Sequence, residues 1–77
     1  MMQRYTLAAL SQETGVTERC IRGWIQRGMV PRGDPNGRYG AYTYDHVRRI
    51  LAIRDLKDNN MSNADIRDRF DPIGMEN

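Results

Sequence analysis

Cysteine is nearly absent from this 77-residue chain: Cys20 stands alone, which excludes an internal disulfide. A single histidine, His46, leaves too few soft ligands for a zinc site, and no cofactor or metal is expected. No apolar run approaches the roughly 20 residues of a membrane span, and the N-terminus lacks the apolar segment of a signal peptide. Enzymatic chemistry is not expected either. No nucleophile has an arranged base, no carboxylate pair sits in an apolar setting, and no glycine-rich phosphate loop follows a strand. A chain this short buries only roughly 60–65% of the surface its unfolded form exposes. The expectation is one domain with one small core, held by apolar contacts in the reducing cytoplasm.

Charge is scarce in net terms, at +2, but it is unevenly placed. Residues 1–50 carry arginines at 4, 19, 22, 27, 32, 38, 48 and 49 against acids at 13, 18, 34 and 45, a balance of +4. Residues 51–77 carry basic residues at 54, 57, 67 and 69 against six acids, a balance of −2. Lys57 is the one lysine, so the basic half is entirely arginine. Arginine's rigid donor fork suits phosphates and guanine edges. Small soluble domains carry such asymmetry by chance as well, so charge alone decides nothing.

The order of elements is more specific. Thr6 can cap a helix over residues 7–14 that ends at Gly15, with Leu7 and Leu10 inward. Val16 and the N-cap Thr17 open a second helix that runs to Arg27 and stops at Gly28, with Glu18 favourable in its first turn. Ile21, Trp24 and Ile25 form its apolar stripe, which places Arg19, Arg22 and Gln26 on or near the opposite face. At that spacing Trp24 reads as a core residue rather than a base-stacking one. Met29 and Val30 cover the core as the chain leaves. Two helices joined by so tight a turn have the shape of a helix-turn-helix, which makes duplex DNA the first ligand to consider.

Between Pro31 and Gly40, the pair Asn36-Gly37 signals a hairpin turn. The segment reads as a small, mobile two-stranded wing with residues 39–43 as its return strand. Among Tyr39, Tyr42 and Tyr44, one or two are expected on the core and one at a phosphate. A longer helix follows from Tyr44 or Asp45 to about Asn59, capped by Thr43, with Val47, Ile50, Ile53 and Leu56 inward and His46 on the surface. Arg48 and Arg49 either extend the basic surface or are simply solvated. Ser62 and Asp65 resemble a capping box for a last short helix carrying Ile66 and Phe70, with Met61 as its staple. Asp71-Pro72 stops it, and residues 71–77 read as a flexible tail after a domain of residues 1–70.

This order of helix, turn, helix, wing, helix and short helix resembles the N-terminal winged-helix domain of the mercury-resistance-type (MerR) regulators. The pieces that carry the resemblance are Y-T-L-A-A-L-S-Q-E-T-G-V-T, R-C-I-R-G-W-I-Q-R-G-M-V-P, G-R-Y-G-A-Y-T-Y-D-H-V and N-M-S-N-A-D-I-R, in the right order over residues 5–70. The fold class this implies is mainly α: four helices with a small two-stranded β wing. The resemblance also implies that the second helix lies in the major groove and that the wing contacts the flanking backbone. Thr17, Arg19 and Arg22 would then face DNA, with Arg38 and Tyr39 near phosphates. The residues themselves agree for the helical positions, since a helix N-terminus and arginines one turn apart offer phosphate anchoring and base-edge donors. Arg19 is the candidate for base readout and Arg22 for a phosphate clamp, with Gln26 beside them. Arg27, Arg32, Tyr42 and Arg48 are additional candidates for phosphate contacts.

Three departures from the family pattern stand out. Gly23 occupies a position where members commonly have an aromatic. The usual wing pair of tyrosine and arginine is replaced by Tyr39-Gly40. The sequence ends at Asn77 without the long dimerisation helix or a ligand-sensing domain, so a domain without an effector input is expected. Tight binding would then need several copies, by head-to-tail packing, by a non-standard dimer through the Met61–Met75 surface, or with a protein partner. The expectation is a small sequence-specific double-stranded-DNA-binding regulator of transcription, of a kind that suits a phage or mobile element. The alternatives are an architectural factor for recombination directionality, or a protein-interaction antagonist that retains the fold without reading DNA.

Overall fold

The computed structural model describes residues 4–37 and 40–70. Its elements run β1 (Arg4–Tyr5), α1 (Leu7–Thr14), α2 (Glu18–Gln26), β2 (Tyr42–Thr43), α3 (Tyr44–Asp58) and α4 (Asn63–Phe70). This is the mainly helical class expected from the sequence, with a two-stranded antiparallel sheet. Arg38 and Tyr39, and the expected tail of residues 71–77, lie outside the described residues.

Local chemistry sets the helix boundaries. The Thr6 hydroxyl accepts the Ala9 N–H at 3.1 Å, and α1 ends at Gly15, which is left-handed at φ 76 with its N–H on the Ser11 carbonyl. Thr17 caps α2 by accepting the Cys20 N–H at 3.2 Å. Two helices end in the same six-residue hydrogen-bond pattern. After α2, Gly28 sits at φ 79 while the Gly28 and Met29 N–H groups donate to the Ile25 and Trp24 carbonyls. After α3, Asn60 sits at φ 66 while Asn60 and Met61 donate to Lys57 and Leu56. The second stop is the one that Asn59-Asn60 signals in the sequence. Ser62 accepts the Asp65 N–H at 3.2 Å, which starts α4 as its capping residues imply.

The core lies between the helices. Leu10, Ile21, Met29, Ile50, Ile53 and Ile66 are fully buried, with Tyr5, Val16, Trp24, Val30 and Val47 around them. Leu7, Ile25, Leu51, Leu56, Met61 and Phe70 pack against this cluster from its margins. Each fully buried aliphatic side chain of the cluster contributes roughly 1.5–3 kcal/mol.

The sheet differs from the expected hairpin. Tyr42–Thr43 pairs not with the outgoing arm of the wing but with the N-terminal strand, in the register Arg4↔Thr43 and Tyr5↔Tyr42. The outgoing arm contains Pro31, which supplies no N–H, and Gly33, which supplies no side chain to pack. Tyr5, by contrast, gains nearly complete burial, at 6% exposure, by pairing there. The turn also differs. It spans Asp34 to Gly37, with the Gly37 N–H on the Asp34 carbonyl at 3.0 Å, so Pro35-Asn36 are its central residues rather than Asn36-Gly37. Neither Asn36 nor Gly37 has a positive φ. Asp at the first position, Pro at the second and Gly at the fourth favour a type I turn, which needs none.

Candidate nucleic-acid interface

Successive residues of a helix are rotated by about 100°, so the burial of Ile21 and Trp24 fixes which side of α2 meets solvent. Arg19, Arg22 and Gln26 are exposed on the side away from them, as the sequence predicts, with the half-buried Gly23 at the edge of that face. Cys20 is exposed on the flank. Arg19 and Gln26 have no side-chain partner among the described residues. The Arg22 guanidinium lies 3.9 Å from Glu18, with both side chains substantially exposed. An exposed i,i+4 pair of this kind contributes only about 0.3–0.5 kcal/mol, so Arg22 is free to exchange its partner for a phosphate at little cost.

The mount of α2 is stiff. Thr14, the last residue of α1 and the one just before the turn into α2, is buried at 2% exposure. Its hydroxyl donates to the Leu10 carbonyl at 2.7 Å and accepts the Val16 N–H at 3.2 Å. From α3, the Arg54 guanidinium donates to the Thr14 carbonyl at 2.9 Å. Past the other end of α2, Arg49 donates to the Met29 carbonyl at 2.9 Å while stacking 4.5 Å from the Phe70 ring. Two arginines of α3 therefore brace both ends of the exposed helix. Arg49 is a brace and not simply a solvated charge. The sequence around Arg49 and Arg54 carries no signal of this, because their partner carbonyls lie 20 and 40 residues away respectively.

The remaining candidates are distributed more widely. Arg27 is exposed at the end of α2, and its guanidinium reaches back over Gly23, where an added Cβ would come within 2.8 Å of it. It also lines a cleft of about 250 Å³ with Asn63, Ala64 and Arg67. Arg32 is exposed on the wing. Tyr42 is half-buried, edge-on to His46 with the ring centroids 5.1 Å apart, and Tyr44 is the tyrosine left exposed among those described. Arg48 is exposed on α3, at a cleft of about 270 Å³ shared with Asp45, Arg49, Ala52 and Phe70. Arg38 and Tyr39 fall outside the described residues.

His46, expected on the surface, is half-buried and joins two elements. Its Nδ1 lies 3.1 Å from the Thr43 N–H and 3.2 Å from the Thr43 hydroxyl, and its Nε2 lies 3.2 Å from the Pro31 carbonyl. A carbonyl can only accept, so Nε2 carries the proton and Nδ1 accepts from Thr43. The ring thus ties the start of the wing to the start of α3. Among the described residues no group of histidine, cysteine, aspartate and glutamate side chains could hold a metal ion, and no helix is long and apolar enough to cross a membrane.

A braced helix-turn-helix with an arginine-bearing outer face, followed by a wing loop and a further helix pair, defines the class of winged helix-turn-helix proteins. A family model described as MerR HTH family regulatory protein matches residues 5–71. The chain belongs to the MerR helix-turn-helix family, whose members are DNA-binding transcription regulators and not enzymes. No curated protein and no solved structure matches it.

Proposed function

We propose that this chain reads a specific double-stranded DNA sequence through α2 and acts in the cytoplasm as a small transcriptional regulator by occupying its site. The observation that carries this reading is the outer face of α2, where Arg19, Arg22 and Gln26 are exposed on a helix braced at both ends. Rigid mounting matters because base-edge hydrogen bonds discriminate only when the donors are held in register with the groove. In this reading Arg19 contacts a base edge and Gln26 lies beside it. Thr17 and Arg22 meet phosphate, and the wing brings Arg38 and Tyr39 to the flanking backbone. Arg27, Arg32, Tyr42 and Arg48 are the further phosphate candidates. A single module of this size makes few contacts, so tight binding calls for more than one copy on DNA, or for a protein partner.

The test is selection on a random duplex library at about 0.15 M salt, where non-specific phosphate binding is weak. An enriched motif is expected, with its repeat geometry reporting how copies are arranged. Arg19→Ala should then relax preference at one base position, at a cost of about 1–3 kcal/mol on the preferred site. Arg22→Ala should weaken all sequences alike and reduce the salt slope by about one unit. No enrichment at any concentration, or full activity in both variants, defeats the groove-reading account.

A further inference from the structure

Beyond the His46 contact at its start, the wing is held to the body by a carboxylate that duplex recognition alone would disfavour. Asp34 sits on the wing, 30 residues from its partner, where its Oδ2 accepts from the Arg4 guanidinium of β1 at 2.9 Å. Its Oδ1 accepts the Asn36 N–H at 2.9 Å, its backbone carbonyl accepts the Gly37 N–H at 3.0 Å, and its own N–H donates to the Ala41 carbonyl at 2.7 Å. One residue thus shapes the turn, closes the two arms of the wing, and anchors them to the N-terminal strand. The carboxyl is held below its ordinary range by the Asn36 N–H and by Arg4, which agrees with a carboxylate engaged on both oxygens.

We infer that Asp34 is the positioning residue of the wing, fixing residues 31–37 against β1 so that Arg32 is presented to DNA in a set geometry. This rests on the DNA-reading function proposed above. The claim has a sign that simple charge does not share. A negative side chain on a DNA-facing loop repels phosphate, so on electrostatics alone its removal strengthens binding. If Asp34 positions the wing, its removal weakens binding, because a loosened wing must be ordered at the moment of contact.

The experiment compares wild type, Asp34→Ala, Arg4→Ala and the double variant on the selected duplex, with amide hydrogen exchange measured on each free protein. Asp34→Ala is expected to weaken site binding about three- to tenfold, and the double variant should be no weaker than the weaker single one, because contacting residues are not additive. Exchange at the Asn36 and Gly37 amides should rise about tenfold in Asp34→Ala while amides of the α3 core hold, which separates loss of the wing from global unfolding. Asp34→Asn keeps an acceptor for the Asn36 N–H but loses the ion pair, and it should fall between wild type and alanine in both readouts. Binding by Asp34→Ala that equals or exceeds wild type overturns the inference, as does unchanged exchange at Asn36 and Gly37. If the wild type binds no duplex, the DNA reading and Arg32's role fall together, while the exchange data alone decide whether Asp34 orders the wing.

Discussion

Two glycines of this chain should respond to the same substitution with opposite signs. Gly40 has φ 141, and a Cβ built there would come within 2.5 Å of both the carbonyl carbon and the oxygen of Tyr5. Those atoms belong to backbone and cannot swing aside. Holding a side chain at such a φ costs about 1–3 kcal/mol, and forcing a methyl group into a closed contact costs about 1–3 kcal/mol more. The alternative relief, separating β1 from this segment, forfeits the burial of Tyr5 at comparable expense. Gly40→Ala should therefore lose roughly 2–6 kcal/mol from a chain whose whole stability is on the order of 4–12 kcal/mol. Gly23 lies within α2 with no positive φ, and the nearest atom to its added Cβ, at 2.8 Å, is the far end of the Arg27 side chain. That guanidinium can move, so Gly23→Ala should gain about 0.5–1 kcal/mol from helix propensity. Urea and thermal denaturation followed by circular dichroism measure both. The midpoint should drop by at least about 8 °C for Gly40→Ala and rise by a few degrees for Gly23→Ala. A loss under about 1 kcal/mol at Gly40, with an unchanged denaturant slope, would refute the close approach of β1 on which this reasoning rests.

Other perturbations test the mount and the wing. Thr17→Ala removes the acceptor for the Cys20 N–H and should cost about 1 kcal/mol of stability, read as a lower urea midpoint. Arg54→Ala removes the donor to the Thr14 carbonyl. Amide exchange across residues 14–18 should rise more than exchange in α3, and uniform exchange would show that the brace is idle. Asp34 contributes to the pH dependence: its folded carboxyl is lowered by the Asn36 N–H and Arg4, so its contribution is present above the ordinary carboxylate value and is lost as pH falls through the lowered one. Melting temperatures taken from about pH 5 down to pH 3 should therefore fall less steeply in Asp34→Asn than in wild type. Equal slopes would remove Asp34 from the acid limb.

Periodicity and capping, which are local, were legible in the residues. The helix boundaries at Thr6, Thr17, Gly28 and Asn60 follow from hydroxyl acceptors and left-handed stops a few residues apart. The outer face of α2 follows from the spacing of Ile21 and Trp24. The turn lies one residue before the Asn-Gly signal, because Asp34-Pro35 sets its first two positions. The family, too, was legible, because several short matches occur in order over most of the chain.

What only the tertiary structure decided were pairings between residues distant in sequence. The partner of β2 is β1, because a buried tyrosine outcompetes an arm with a proline and a glycine. Arg49, Arg54 and His46 read in sequence as ordinary polar positions on a helix, yet their partners are carbonyls of Met29, Thr14 and Pro31. Whether a charged side chain is solvated or braces a neighbouring element depends on which backbone oxygen the fold leaves within its reach. That is a property of the packed chain, because the oxygen's position is set by elements tens of residues away and no local pattern encodes it.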